Sequence, residues 1–143
     1  MDAVPLQIVA AGPAHVSGIV EIERACPESS TVVLTAGEAL REAMSRGHGV
    51  AVAIRAAAVL GWAWWHTEDD RAGETTGVIV RVAVAPASRR RGIGAALVAH
   101  AASALRDAGC ARLRARVPGD DPGARAMLER AGFHIRAVEM EAP

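Results

Sequence analysis

The spacing of apolar positions changes several times along the chain, and each change marks an element. Residues 6–10 form a short apolar run that reads as a strand; Gly12-Pro13 breaks it, and Pro13 suits the first turn of a helix. Val16, Ile19, Val20 and Ile22 then recur at helical spacing as far as about Ala25, and residues 26–30 read as a loop. Thr35, with Glu38 three residues later, has the pattern of a capping box, so a second helix begins there, carries Leu40 and Met44 inward and stops at Gly47.

From Val50 onward the period shortens to two. Val50, Val52 and Ile54 alternate with alanines, residues 59–65 are rich in strand formers, and residues 55–57 lie between them as the turn of an antiparallel hairpin. The polar stretch 68–73 closes a second hairpin onto residues 77–84, a nearly unbroken apolar run of the kind buried on both faces. A loop with Pro86 and an arginine-glycine run leads into a helix over about 92–107, ended by Gly109. Leu113, Ala115 and Val117 alternate with Arg112, Arg114 and Arg116, the pattern of a strand with one buried face. Asp120, Asp121 and Pro122 open a helix with Met127, Leu128 and Ala131 inward and a stop at Gly132, and residues 133–140 supply a last strand or pair of short strands. The order β-α-α-β-β-β-α-β-α-β describes an α/β fold, a mixed sheet with helices on both faces.

Composition narrows the partners. At 143 residues and 51% hydrophobic, the chain reads as a single domain over residues 1–143 with one core. Sixteen basic residues balance sixteen acidic ones, so no global field draws the protein to nucleic acid or an anionic membrane. The N-terminus lacks the basic start and apolar run of a signal peptide. The most apolar stretch, 50–65, is interrupted by Arg55 and falls short of the roughly 20 residues of a spanning helix. The expectation is a cytoplasmic protein that meets no membrane. Cys26 and Cys110 have no metal-like spacing and read as two buried thiols or one disulfide, and no metal is expected. Every basic residue is arginine, and tyrosine is absent altogether, which limits the available chemistry.

The informative stretch is Val82-Ala83-Val84-Ala85-Pro86-Ala87-Ser88-Arg89-Arg90-Arg91-Gly92-Ile93-Gly94-Ala95-Ala96-Leu97. A strand, a glycine-bearing loop and a helix in succession aim unpaired backbone N–H groups at one place, and the helix dipole adds partial positive charge there; that place attracts phosphate. Gly92 and Gly94 leave room beside the backbone, and Arg89, Arg90 and Arg91 add charge. A dinucleotide-binding fingerprint fails because Leu97 stands where its third glycine belongs, and no Gly-Lys-Ser/Thr of a nucleotide-hydrolase loop is present. The remaining pattern, R-x-x-G-x-G after V-A-V-A-P, closely resembles the acetyl-CoA signature of the GCN5-related N-acetyltransferase superfamily. That family's later run, N-x-x-A-x-x-x-Y-x-x-x-G-F, is matched by Asp121, Ala124, Leu128 and Gly132-Phe133 with two departures, and the order of elements agrees over nearly the whole chain.

The resemblance implies a mostly antiparallel central sheet and a wedge for pantetheine between strands 77–84 and 112–117. Backbone of Val82, Ala83 and Val84 would take the pantetheine amides, the thioester carbonyl would be polarised near Val84, and Arg89, Arg90, Arg91, Gly92, Ile93, Gly94 and Ala95, with Asp121, would complete the acetyl-CoA site. The reaction implied is transfer of the acetyl group to a primary amine by direct attack in a ternary complex, with a homodimer possible by family analogy alone. Two departures bear on catalysis. The tyrosine that protonates the departing thiolate in many members is Leu128 here, and the glutamate base of the ribosomal-protein N-terminal acetyltransferases is Arg116. The acid is then a water, Cys110, a serine or nothing, and the base is left open among Glu28, Glu68, Asp69, Glu74, Asp120, Asp121 and water. The alternative is a catalytically weak or inactive acyl-CoA-binding sensor of the same fold.

Plainer readings stand beside these. Arg89 to Arg91 also suit a solvated loop or, with Arg112, Arg114 and Arg116, a nucleic-acid patch, which zero net charge and the lack of interleaved aromatics oppose. Trp62 and Trp64 share one face of their strand and Trp65 the other, so at least one set packs in the core while another could line an acceptor pocket. His66 and His100 read as surface or paired residues. Asp121 before Pro122 is a good helix N-cap whatever it binds.

Overall fold

The computed structural model describes residues 4–26, 36–115, 122–134 and 142. β1 (Gln7–Ala10) is followed by a 3-10 turn over Pro13–His15 and by α1 (Val16–Ala25) and α2 (Ala36–Ser45). Then come β2 (Gly49–Arg55), β3 (Ala58–Asp69), β4 (Thr75–Val84), α3 (Ile93–Asp107), β5 (Arg112–Ala115) and α4 (Pro122–Arg130). The five strands form one sheet in the order β1-β2-β3-β4-β5, antiparallel throughout except for the parallel β4–β5 pair. The parallel pair needs a crossover, and α3 supplies it.

The two faces are covered by different helices. On one, Ile19, Ile22 and Cys26 of α1 and Leu40 of α2 pack over Val50, Val52, Trp62 and Ala83. On the other, α3 and α4 cover Ala53, Ala63 and Ile79 with Ile93, Leu97, Val98, Leu105 and Leu128. Alternate residues of each strand therefore enter alternate layers, as the period of two requires. Cys26 and Cys110 are free thiols buried in clusters on opposite faces, so the disulfide alternative is out.

Boundaries differ from the sequence reading where turn chemistry decides. The first hairpin turns over two residues, Ala56 and Ala57, with left-handed φ of 51° and 70°, and Arg55 stays in the strand opposite Ala58. The second turns on Asp70, whose Oδ1 accepts the N–H groups of Ala72 and Glu74 at 2.8 and 2.9 Å, so β3 reaches Asp69 and β4 starts at Thr75. Gly47, Gly109 and Gly132 follow helices with φ of 81°, 91° and 97°, the left-handed stops expected of them. Phe133 packs on the α3–α4 cluster, and neither it nor His134 is in a strand. The expected strand 133–140 otherwise lies outside the described residues, as do Thr35, Arg116 and Val117. No helix among the described residues is long and apolar enough to cross a membrane.

Candidate functional site

β4 changes character halfway along. Thr76 to Ile79 pair with β5 on one side and with β3 on the other. Trp64 then faces Arg81 while Trp65 faces Ile79, which leaves Val80 as an extra residue, a bulge that bends the strand where the described β5 ladder ends. Past the bulge β4 is paired with β3 alone among the described residues. Ala85 N–H donates to Leu60 O at 2.8 Å, and bonded pairs alternate with unbonded ones along an antiparallel ladder. In this register Ala83 and Arg81 spend their peptide groups on Trp62 and Trp64, whereas those of Val82 and Val84 point away from β3. Of the three residues expected to offer backbone, Val82 and Val84 turn their peptide groups outward in this register and Ala83 turns its own toward Trp62.

The first turn of α3 abuts this open end. A Cβ added at Gly94 would lie 3.6 Å from Val84 Cγ2. The helix ladder begins with Ala96 N–H donating to Gly92 O at 3.0 Å, so the N–H groups of Ile93, Gly94 and Ala95 have no acceptor inside the helix. Arg90 and Gly92 adopt left-handed backbone, φ 66° and 78°, which turns the chain sharply into the helix. The two glycines serve different ends. At Gly92 a Cβ would meet nothing within 4 Å, so glycine answers the backbone angle and the space beside it is open. At Gly94 a Cβ would run into Met127 Sδ, so the missing side chain lets α4 close on α3 rather than clearing a path for a ligand.

The three arginines also diverge. Arg89 folds back, its Nε donating to Val84 O at 3.3 Å and its Nη2 to Cys26 Sγ at 3.3 Å, which binds the loop to the end of α1. Arg90 and Arg91 are exposed at the helix start. The open amides, the dipole of a 15-residue helix and two exposed guanidiniums together fit a diphosphate, and the outward peptide groups of Val82 and N–H of Val84 fit a ligand that carries amides.

One carboxylate that the sequence reading passed over faces this region. Glu23 is fully buried at 0% exposure; its Oε1 accepts Trp62 Nε1–H at 2.7 Å and Arg81 Nε–H at 3.0 Å, and its Oε2 accepts Arg81 Nη2–H at 3.3 Å. The available signal was its position: with Ile19, Ile22 and Cys26 it occupies the inward stripe of α1, where a solvated glutamate does not belong. Trp62 is thereby a core residue, Trp64 stacks on it at 6.4 Å, and Trp65 lies on the α3 face with its edge to His100.

The carboxylates singled out from sequence fare differently. Glu74 is an exposed residue of the second hairpin, ten residues and about 30 Å along β4 from Val84. Asp69 accepts the Thr75 hydroxyl at 2.8 Å and Glu68 sits 3.8 Å from His66, both at that same far end. None of the three is brought to the open end of β4. Cys110 is buried past the C-terminus of α3, roughly 20 Å along the helix from its first turn. Leu128 is packed among Ile79, Val98 and Leu105. Glu28, Asp120, Asp121 and Arg116 lie outside the described residues.

Known structures share this architecture. A transcriptional regulator from Bacillus halodurans C-125 superposes with a TM-score of 0.84 at 18% identity, over 96% of this chain and 100% of that one. A putative acetyltransferase from Agrobacterium tumefaciens str. C58 gives 0.81 at 23% identity, over 96% and 99%. An aminoglycoside N-acetyltransferase in complex with CoA gives 0.80 at 13% identity, over 99% and 96%. No curated protein matches the chain by sequence. The model of the Acetyltransferase (GNAT) family matches residues 17–133, from the start of α1 through the bulged strand and the α3 loop to Phe133, and this chain belongs to that family.

Proposed function

We propose that this protein transfers the acetyl group of acetyl-CoA to a primary amine, by direct attack in a ternary complex, and that residues 1–143 act as one cytoplasmic unit. The observation that carries the reading is the meeting of two edges: the outward peptide groups of Val82 and the outward N–H of Val84 on β4, whose carbonyl is taken by Arg89, and the amides of Ile93, Gly94 and Ala95 on α3, which have no acceptor inside the helix. In this reading Val82 and Val84 bond the pantetheine amides and the Val84 N–H polarises the acyl carbonyl. The backbone from Arg89 to Ala95, with Arg90 and Arg91, receives the pyrophosphate, and Asp121 completes the site. Acetyl-CoA supplies an acyl group activated as a thioester. The amine nitrogen attacks the carbonyl carbon, the C–N bond forms as the C–S bond breaks, the thiolate leaves, and the proton of the former amine passes to water. Alignment of the two reactants supports much of the rate in such a transfer, so a dedicated acid is not required.

Calorimetric titration with acetyl-CoA, CoA and NAD tests the first half: the two CoA forms bind and NAD does not. Gly92→Glu puts negative charge where the pyrophosphate would lie, in space that is open; because φ of 78° strains any side chain there, Gly92→Ala, which carries the strain without the charge, is the control. Affinity for acetyl-CoA should drop about 100-fold or more, equivalent to about 3 kcal/mol; unchanged affinity removes the site from this loop. Leu128, buried in an apolar cluster with no hydroxyl to offer, favours a second reading, an acyl-CoA-binding sensor without turnover. Steady turnover with any amine excludes it.

A further inference from the structure

A titratable cluster lies away from the open end of β4 and plays no part in the acyl-transfer reading. His48 follows the stop of α2, its N–H donating to Ala43 O at 2.9 Å. Its Nδ1 accepts the Trp64 indole N–H at 3.0 Å. An indole nitrogen only donates, so Nδ1 carries no proton and His48 is the neutral, Nε2-protonated tautomer. Its ring stacks on His66 with centroids 4.8 Å apart and planes 23° from parallel. His66 Nδ1 lies 3.2 Å from Thr67 O, to which it can only donate, and that leaves its Nε2 facing Glu68 Oε1 at 3.8 Å.

The surroundings treat a proton on the two rings differently. On His66 it would face the Glu68 carboxylate. On His48 it would face His66 from β3 and Arg46 from the turn after α2, whose own guanidinium is held by Glu42 at 2.6 Å. α3 contributes Ala104, Leu105 and Ala108 to the cavity of about 260 Å³ beside the pair, and none of these titrates. Burial first, then His66 and Arg46, hold the pKa of His48 below the ordinary histidine value.

We propose that His48 is the moving part of a proton-operated latch: neutral, it ties the start of β2 to Trp64; protonated at Nδ1, it loses that bond, repels His66 and releases the Trp64 indole. The release has somewhere to travel. Trp64 stacks on Trp62, Trp62 donates to Glu23, and Glu23 holds Arg81 on β4, so the latch sits at the far end of a row of contacts that backs the open strand. This inference stands apart from the acyl-transfer reading and can fail or succeed without it.

The test follows the indole N–H and histidine ring resonances of the full chain by NMR from pH 8 to pH 5. In the wild type the Trp64 indole resonance moves together with the His48 ring, with a midpoint below 6.5, and the Trp62 resonance follows with smaller amplitude. His48→Gln retains a carbonyl acceptor for Trp64 but cannot protonate, so its Trp64 resonance stays flat across the range. His66→Gln removes a facing charge and shifts the His48 midpoint upward. A Trp64 resonance that stays still while His48 protonates in the wild type, or that titrates unchanged in His48→Gln, overturns the latch. An unmoved His48 midpoint in His66→Gln overturns the pairing on which it rests.

Discussion

The two faces of the sheet are built from different chemistry. Beneath α3 and α4 the contacts are apolar almost throughout: Ile79, Val98, Leu105 and Leu128 interlock, and the spacing of small and large side chains decides how closely the helices approach. Beneath α1 and α2 a polar row runs from the half-buried His48–His66 stack through Trp64 to the buried Trp62 and Glu23, and to Arg81. An apolar face tolerates volume-conserving exchange, whereas a buried network fails when one partner is lost, because the survivors keep their desolvation cost without their bonds. The α3 face therefore acts as a support for the loop at Gly92, and the α1 face holds the groups whose charge state matters.

Truncations on the two faces should separate these accounts, and the largest effect belongs to the polar one. Glu23→Gln removes the buried carboxylate that Arg81, 15% exposed, bonds through Nε and Nη2, and should cost about 3–5 kcal/mol in urea unfolding. The double variant Glu23→Met, Arg81→Met should recover part of that loss, since an ion pair replaced by apolar groups of similar size is often neutral, while the buried Trp62 indole N–H is left without its acceptor. A loss under about 1 kcal/mol in the single variant would erase the contrast between the faces. Leu128→Ala on the apolar face should cost about 2–5 kcal/mol through lost burial and the cavity it leaves, with no change in the pH dependence of stability. Trp64→Phe keeps the ring stack but removes the bond to His48, a loss of about 0.5–1.5 kcal/mol in the same measurement.

The smallest effect is the pH dependence itself. The folded-state pKa of His48 is lowered, so folding favours its neutral form. Its contribution to stability is complete above 6.5 and is lost as pH falls through the lowered value. Urea midpoints measured from pH 7.5 to pH 5 should decline in the wild type and decline less in His48→Gln. Equal slopes in the two proteins would remove His48 from the account.

Most of the scaffold was legible because it rests on periodicity, which is local. The alternation of Val50, Val52 and Ile54, the stripe of α1 and the glycine stops all follow from which residues must face one layer, and the structure has them so. The loop at Gly92 was legible for the same reason, since strand, glycine and helix are neighbours in the chain. What could not be read depends on partners distant in sequence. Nothing in a list of residues pairs Glu23 with Arg81, 58 positions away, or sends Arg89 back to Val84 and Cys26. The split between Gly92 and Gly94 is of the same kind, because it turns on where Met127 arrives from α4. The hairpin carboxylates misled because their distance from Val84 depends on how far β4 extends, and the Asp70 turn carries β3 on to Asp69 and starts β4 at Thr75.

The half-open strand also bears on solubility. An unpaired sheet edge is ordinarily an invitation for another chain to add itself, and the longer and flatter the edge, the stronger the template. Here the window is bounded among the described residues by the Val80 bulge on one side and by Pro86, which has no N–H to donate, on the other. Only the peptide groups of Val82 and the N–H of Val84 remain between them, on residues about 7 Å apart, the Val84 carbonyl being taken by Arg89. So short a window offers little template for a whole added strand at this place in the sheet.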